Sequence, residues 1–199
     1  MKILITGGAG YLGSAIVPRL INKKYNVTVL DNLYFKQFTL HDMFKCENFE
    51  FIFEDVRNFK IVNDIAKKFD VVIPLAGLVG APLCDLHPID AVKINQTAVE
   101  ELCNTLPKET KLIIPVTNSG YGISKPDEIC TEDTKLNPIS IYGKTKVAAE
   151  KVTMDRGNAI SFRLATVFGV TSRMRTDLLV NNFVLEAVKK QGAAIDYAD

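Results

Sequence analysis

Two residue types at one spacing open the chemistry of this sequence. Tyr142 and Lys146 stand four apart in Pro138-Ile139-Ser140-Ile141-Tyr142-Gly143-Lys144-Thr145-Lys146. On a helix such a pair shares one face, about one turn apart. A phenol of pKa about 10 is a poor base at neutral pH. A neighbouring ammonium favours the phenolate and lowers that pKa. Tyr142 would then take a proton from an alcohol while a hydride leaves the same carbon. Tyr-x-x-x-Lys alone is common, and Thr117 strengthens it here. It lies in Pro115-Val116-Thr117-Asn118-Ser119-Gly120-Tyr121-Gly122, at the carboxyl end of an apolar run. A hydroxyl there could bond both the reacting oxygen and the phenol, and Ser119 is a second candidate.

A hydride needs an acceptor, and the first residues suit one. Thr6-Gly7-Gly8-Ala9-Gly10-Tyr11-Leu12-Gly13 carries two overlapping patterns. Gly8, Gly10 and Gly13 make G-x-G-x-x-G; Gly7, Gly10 and Gly13 make G-x-x-G-x-x-G. Glycine permits the tight turn and lets the backbone approach a pyrophosphate. The phosphates then rest at a helix N-terminus, where free N–H groups and the dipole favour negative charge. Here the pattern follows a predicted strand and opens a predicted helix, the context it requires. Asp31 ends the second strand, near the expected distance of about 20 residues downstream. Its carboxylate would accept hydrogen bonds from the adenosine ribose and repel a 2′-phosphate, which selects NAD over NADP. The cationic nicotinamide ring would lower the Tyr142 pKa further.

The elements that must position these groups are legible in the apolar pattern. Strands are predicted at Lys2–Thr6, Asn26–Leu30, Phe49–Glu54, Asp70–Leu75, Lys111–Val116 and Ala159–Leu164. Helices are predicted at Tyr11–Lys23, Phe59–Lys68, Pro88–Leu106 (irregular at its start), Pro138–Asp155 and Asp177–Lys190, with a weak one near Gln37–Cys46. Pro115 suggests that its strand ends there or lies at an edge. Near-continuous Val/Ile/Leu strands separated by helices imply a parallel sheet covered on both faces. Right-handed crossovers make it α/β and doubly wound, a Rossmann fold, with ligands beyond the carboxyl ends of the strands.

Composition narrows the function classes. The 199 residues are 47% hydrophobic and 24% charged, enough to bury a core and against disorder. Lys+Arg of 24 against Asp+Glu of 23 leaves a net charge of +1, with no excess to attract nucleic acid or an acidic membrane. Cys46, Cys84, Cys103 and Cys130 form no C-x-x-C, and His41 and His87 lack metal-ligand spacing. No metal site is expected, and the thiols suit a reducing compartment. The longest apolar stretch, Val71 to Cys84, is broken by Pro74, Gly77, Gly80 and Pro82 and is too short to span a bilayer. With no signal peptide visible, a cytoplasmic protein is expected.

In order along nearly the whole chain, these motifs resemble the extended short-chain dehydrogenase/reductase family, in particular its NAD-dependent nucleotide-sugar epimerases and dehydratases. The matching stretches are T-G-G-A-G-Y-L-G at Thr6–Gly13, Asp31, Asp55-Val56, Leu75-Ala76-Gly77, Asn95, T-N-S-G-Y-G at Thr117–Gly122, Y-G-K-T-K at Tyr142–Lys146 and F-R-L-A-T-V-F-G at Phe162–Gly169. The resemblance implies that Gly7, Gly10, Tyr11, Leu12 and Gly13 cradle the cofactor and that Asp31, with Asn32 beside it, holds the adenosine ribose. It implies Asp55 and Val56 at the adenine, and Leu75, Ala76, Gly77 and Asn95 along the cofactor channel. Thr117, Tyr142 and Lys146 would be the catalytic hydroxyl, the base, and the lysine that tunes it and grips the nicotinamide ribose. Ser119, Thr166, Arg173 and Arg175 would face the substrate, the two arginines pairing with its diphosphate.

The resemblance is nearest to bacterial enzymes of surface-polysaccharide synthesis that act on nucleotide sugars at C4. Asn118 and Ser119 stand where dehydratases of the family carry an acidic pair, which argues for epimerisation or simple 4-oxidation. Residues 1–177 would be the NAD-binding domain and 178–199 the final helix and the start of a substrate lobe whose greater part is absent. The expected partners are a nucleotide sugar and a second copy of the chain. The copies would meet through the helices near 88–106 and 138–155, with Val92, Val99, Leu102, Val147 and Met154 as available apolar positions. A module that only binds the dinucleotide is the alternative, but it would have no need of Thr117, Tyr142 and Lys146 together.

Overall fold

The computed structural model describes residues 1–123 and 129–190. The strands are β1 (Lys2–Thr6), β2 (Asn26–Asp31), β3 (Phe49–Phe53), β4 (Val71–Pro74), β5 (Lys111–Thr117) and β6 (Ala159–Leu164). The helices are α1 (Tyr11–Asn22), α2 (Phe59–Ala66), α3 (Ala81–Leu86), α4 (Pro88–Val92), α5 (Ala98–Thr105), α6 (Ile141–Arg156) and α7 (Leu179–Lys189). All six strands are parallel, in the order β3-β2-β1-β4-β5-β6. This is the doubly wound order, reversing between β1 and β4, where such sheets bind ligands.

Strand side chains alternate between the two faces, because successive residues of a strand point oppositely. Ile3, Ile5, Val27, Val29, Val71 and Ile73 pack with Val17 and Ile21 of α1. Leu4, Leu30, Val72, Leu112, Ile114 and Val116 pack with Val62 of α2, Val99 and Leu102 of α5, and Ala149 of α6. Leu4, Ile5, Leu30, Val72, Leu112 and Ile114 are fully buried. Each such aliphatic side chain contributes about 1.5–3 kcal/mol by leaving water.

Several local expectations change. The weak helix near 37–46 is a single 3₁₀ turn, His41–Lys45. Residues Pro88–Thr105 run helically throughout, and the irregularity lies in the middle, a π-helical turn over Lys93–Thr97. The short α3 was not foreseen; its run Ala81-Pro82-Leu83-Cys84 was read only as the end of the longest apolar stretch. β5 is interior, between β4 and β6, so Pro115 marks no sheet edge. Its missing N–H is tolerated because β4 pairs only with Lys111 and Leu112. Beyond them the two strands part and open the cleft.

Val99 and Leu102 are 4% and 2% exposed in the sheet-facing core and cannot serve a second copy, whereas Val92 and Met154 are 41% and 49% exposed. Residues 191–199 of the expected second region lie outside the described residues.

Candidate active site

Apart from Gly8 of the glycine loop, every candidate site residue read from the sequence lines one cleft of about 930 Å³ across the strand ends. That is the upper part of the range for small-molecule sites. One wall is the glycine loop. Gly7 has φ +69°, and a Cβ there would meet Ala76 N at 2.4 Å. At Gly13 a Cβ would meet Gly8 O at 2.1 Å, so α1 starts as close to the loop as backbone permits. No side chain caps α1, and its first turn carries no acid. Its N–H groups therefore remain available to an anion where Gly10, Tyr11, Leu12 and Gly13 line the cleft. This cradle fits a dinucleotide pyrophosphate.

Beside it, Asp31 accepts the Ala9 N–H at 3.0 Å and the Leu33 N–H at 2.8 Å, tying β2 to the glycine loop. Burial pushes its pKa up, against those two bonds and the Arg173 charge. Asn32 donates to Asp55 at 2.8 Å. Arg57, which the sequence reading passed over, clasps the same carboxylate and reaches Asp90 at 2.9 Å. Its hydrogen bonds hold the Asp55 pKa at about 2, so this carboxylate stays ionised at neutral pH and paired with Arg57. Val56, Leu75, Ala76 and Gly77 follow along the cleft.

Asn95 touches the channel but is only 1% exposed. Its amide accepts the Leu78 N–H and donates to the Leu78 carbonyl, both at 2.9 Å. The π-helical turn supplies the extra residue that brings it there, a feature common at functional sites. Asn95 therefore acts by holding the Leu78 backbone.

Thr117 after β5 and Ser140, Tyr142 and Lys146 around the start of α6 line the same cleft. Thr117 ends β5 and is buried, its hydroxyl accepting the Ser119 N–H at 3.1 Å. Ser140 caps α6 by accepting the Gly143 N–H at 3.0 Å, worth about 1 kcal/mol, and so orients the turn bearing Tyr142. Serine just before the helical run was a readable start signal. Further along, Glu150 accepts from Ser161 at 2.7 Å and Arg163 at 3.0 Å, pinning α6 to β6. Most core-facing positions of this helix are polar, including Thr145, Lys146, Glu150 and Thr153, so its apolar pattern says little about its orientation.

The charges depart from expectation. Burial, the largest influence, raises the Tyr142 pKa, and Cys84 adds to it; Thr117 and Arg175 oppose. Lys146 is not among the groups that move the phenol. Its own pKa is lowered to about 8 by burial alone, since it is 8% exposed. The ordinary lysine value is 10.5. Above that pH the amine is neutral in both folded and unfolded chains, and no penalty applies. Below about 8 it is charged in both, and the full penalty of about 3 kcal/mol is felt. Lys146→Met is therefore expected to be more stable than the parent at pH 7. The gain should shrink as pH rises from 8 to 10.5 in denaturant titrations, and a gain that stayed constant would refute this origin.

Thr166 lies exposed on the rim. The arginines of Arg173-Met174-Arg175 take different partners although their charges still act on each other: Arg175 pairs with Asp177 and its charge reaches Tyr142, while Arg173 stacks on Phe35 near Asp31. Asn181 of α7 was missed by sequence reading. It accepts the Gly169 N–H at 2.9 Å and donates to Tyr11 Oη at 3.0 Å and to the Arg175 carbonyl at 2.9 Å. The Tyr11 hydroxyl in turn donates to the Gly169 carbonyl at 2.7 Å, fastening the connection after β6 to the glycine loop.

A cleft built this way defines a class, the Rossmann-fold domains that lay a dinucleotide along the strand ends. The family model described as the NAD dependent epimerase/dehydratase family matches residues 3–195, and the chain belongs to that family. NAD is the cofactor of the family. A UDP-glucose 4-epimerase of Lactobacillus helveticus is 32% identical over 176 residues, covering 85% of this chain and 52% of that protein. UDP-glucuronic acid decarboxylase 4 of Arabidopsis thaliana is 30% identical over 212 residues, covering 100% and 46%. Among solved structures, UDP-glucuronic acid 4-epimerase from Bacillus cereus in complex with NAD superposes with a TM-score of 0.78 at 27% identity, covering 96% of this chain and 63% of that one. The chain thus spans about half the length of the curated relatives it matches. Among the described residues no helix is long and apolar enough to cross a membrane.

Proposed function

We propose that this chain is the cofactor-binding and catalytic part of an NAD-dependent nucleotide-sugar epimerase or 4-dehydrogenase. The observation that supports the reading is that Thr117, Tyr142 and Lys146 line the same cleft as the glycine loop, with Thr117 acting on the phenol. Bound NAD supplies the hydride acceptor. Tyr142 takes the proton of the sugar 4-hydroxyl, and Thr117 steadies the same oxygen. Lys146, charged at neutral pH below its pKa of about 8, holds the nicotinamide ribose. Arg175, whose charge reaches the phenol, favours the phenolate and faces the substrate with Ser119 and Thr166. Low solvent exposure around Tyr142 and Lys146 strengthens these electrostatic effects.

The same reading takes the protein as a cytoplasmic homodimer. Exposed Leu86, Ile89, Val92 and Met154 on α3, α4 and α6 support that contact. Incubating the full-length protein with NAD and a panel of UDP-, dTDP-, GDP- and CDP-sugars, with NMR of the products, tests the function. Inversion at C4, or a 4-ketone that exchanges neighbouring protons with deuterated solvent, is expected. Absence of any change at C4 across the panel would overturn the reading.

A further inference from the structure

Arg173 stands at the adenosine end of the cleft. Its guanidinium lies over the Phe35 ring, 4.2 Å from the centroid. Both residues line the cleft together with Asp31. Burial is the largest influence on each charge, pushing Asp31 up and Arg173 down; the Arg175 charge also lowers Arg173, Asp177 and then Asp31 oppose that, and the Arg173 charge opposes the shift of Asp31. The Arg173 Nε is buried without a hydrogen-bond partner. The arginine comes from the connection after β6, which Tyr11 and Asn181 fasten at Gly169 and Arg175.

A carboxylate ending β2 selects an unphosphorylated ribose because it repels a 2′-phosphate. That rule assumes an uncompensated negative charge. Here a guanidinium held on an aromatic shelf sets a positive charge against that carboxylate. Its fork of N–H donors matches phosphate oxygens. An arginine in this neighbourhood is the usual means of accommodating a 2′-phosphate. Stacking on Phe35 also limits the side-chain entropy lost when it grips an anion.

We propose that Arg173 is a cofactor-specificity residue that, from the shelf of Phe35 beside Asp31, lets the cleft take a dinucleotide phosphorylated on its adenosine ribose as well as NAD. The proposal rests on the reading of the cleft as a dinucleotide site.

Calorimetric titration of the full-length protein with NAD and with NADP tests it. The parent is expected to bind NADP within about tenfold of NAD. Arg173→Gln should weaken NADP by about tenfold or more and change NAD much less. Asp31→Asn should move the ratio the other way, towards NADP. Binding of NAD with none of NADP at a hundredfold higher concentration would overturn the proposal. So would equal weakening of both ligands by Arg173→Gln, which is the signature of a purely structural arginine. Failure of the parent to bind either ligand would overturn the cofactor reading itself, a result distinct from selective loss of NADP.

Discussion

Tyr142→Phe should lose turnover by about 10²–10⁴-fold while still binding NAD, because only the proton acceptor is removed. The phenol is buried, and without cofactor its pKa is raised, so it is protonated at neutral pH. Deprotonation then depends on charges that arrive or strengthen when the cleft fills: the nicotinamide cation, Lys146 and Arg175. Turnover of the parent should accordingly rise with pH through the phenol's pKa in the complex, and the residual rate of the Phe variant should not. Steady-state rates on the sugar nucleotide, with calorimetric NAD titration of the same samples, separate chemistry from binding. Unchanged turnover would remove Tyr142 from the mechanism. Loss of both turnover and NAD binding would make its role structural.

Gly13→Val should abolish measurable cofactor binding and destabilise the fold by about 3 kcal/mol, the upper range for overpacking. A Cβ at this position would stand 2.1 Å from Gly8 O and 2.5 Å from Gly8 C. Those atoms are backbone of the loop and cannot rotate aside. α1 would have to retreat, carrying its free N–H groups away from the pyrophosphate and straining the Ala9–Asp31 bond. Denaturant unfolding and NAD titration check both effects. Retention of parent-like NAD affinity would show that the loop tolerates a displaced helix.

Much of this was legible before any coordinates. The alternation of short Val/Ile/Leu runs with amphipathic segments implied a parallel sheet, because parallel strands are buried on both faces. The strand–glycine–helix context and Asp31 implied a phosphate cradle with a ribose acceptor. Local sequence was less informative where the chain's conformation depends on distant partners. The π-helical turn at Lys93–Thr97 carries Asn95, which pairs with the Leu78 backbone 17 residues away. Pro115 looked like an edge signal, and only the parting of β4 from β5 explains an interior proline. α6 was expected over Pro138–Asp155, while the polar anchors that set its rotation, Glu150 with Ser161 and Arg163, join residues that no helical period connects.

Sequence alone determined the layered fold, the family and the residues that gather at the strand ends, since periodicity and glycine sterics act over a few neighbours. Tertiary structure decided which charges share a site. It moved Lys146 out of the groups that bias the unliganded phenol, gave Arg173 and Arg175 different partners in Phe35 and Asp177, and made Asn181 a tie between α7 and the glycine loop. Electrostatic energy depends on distance through space and on the water each group has lost, and neither quantity is written in the order of the residues.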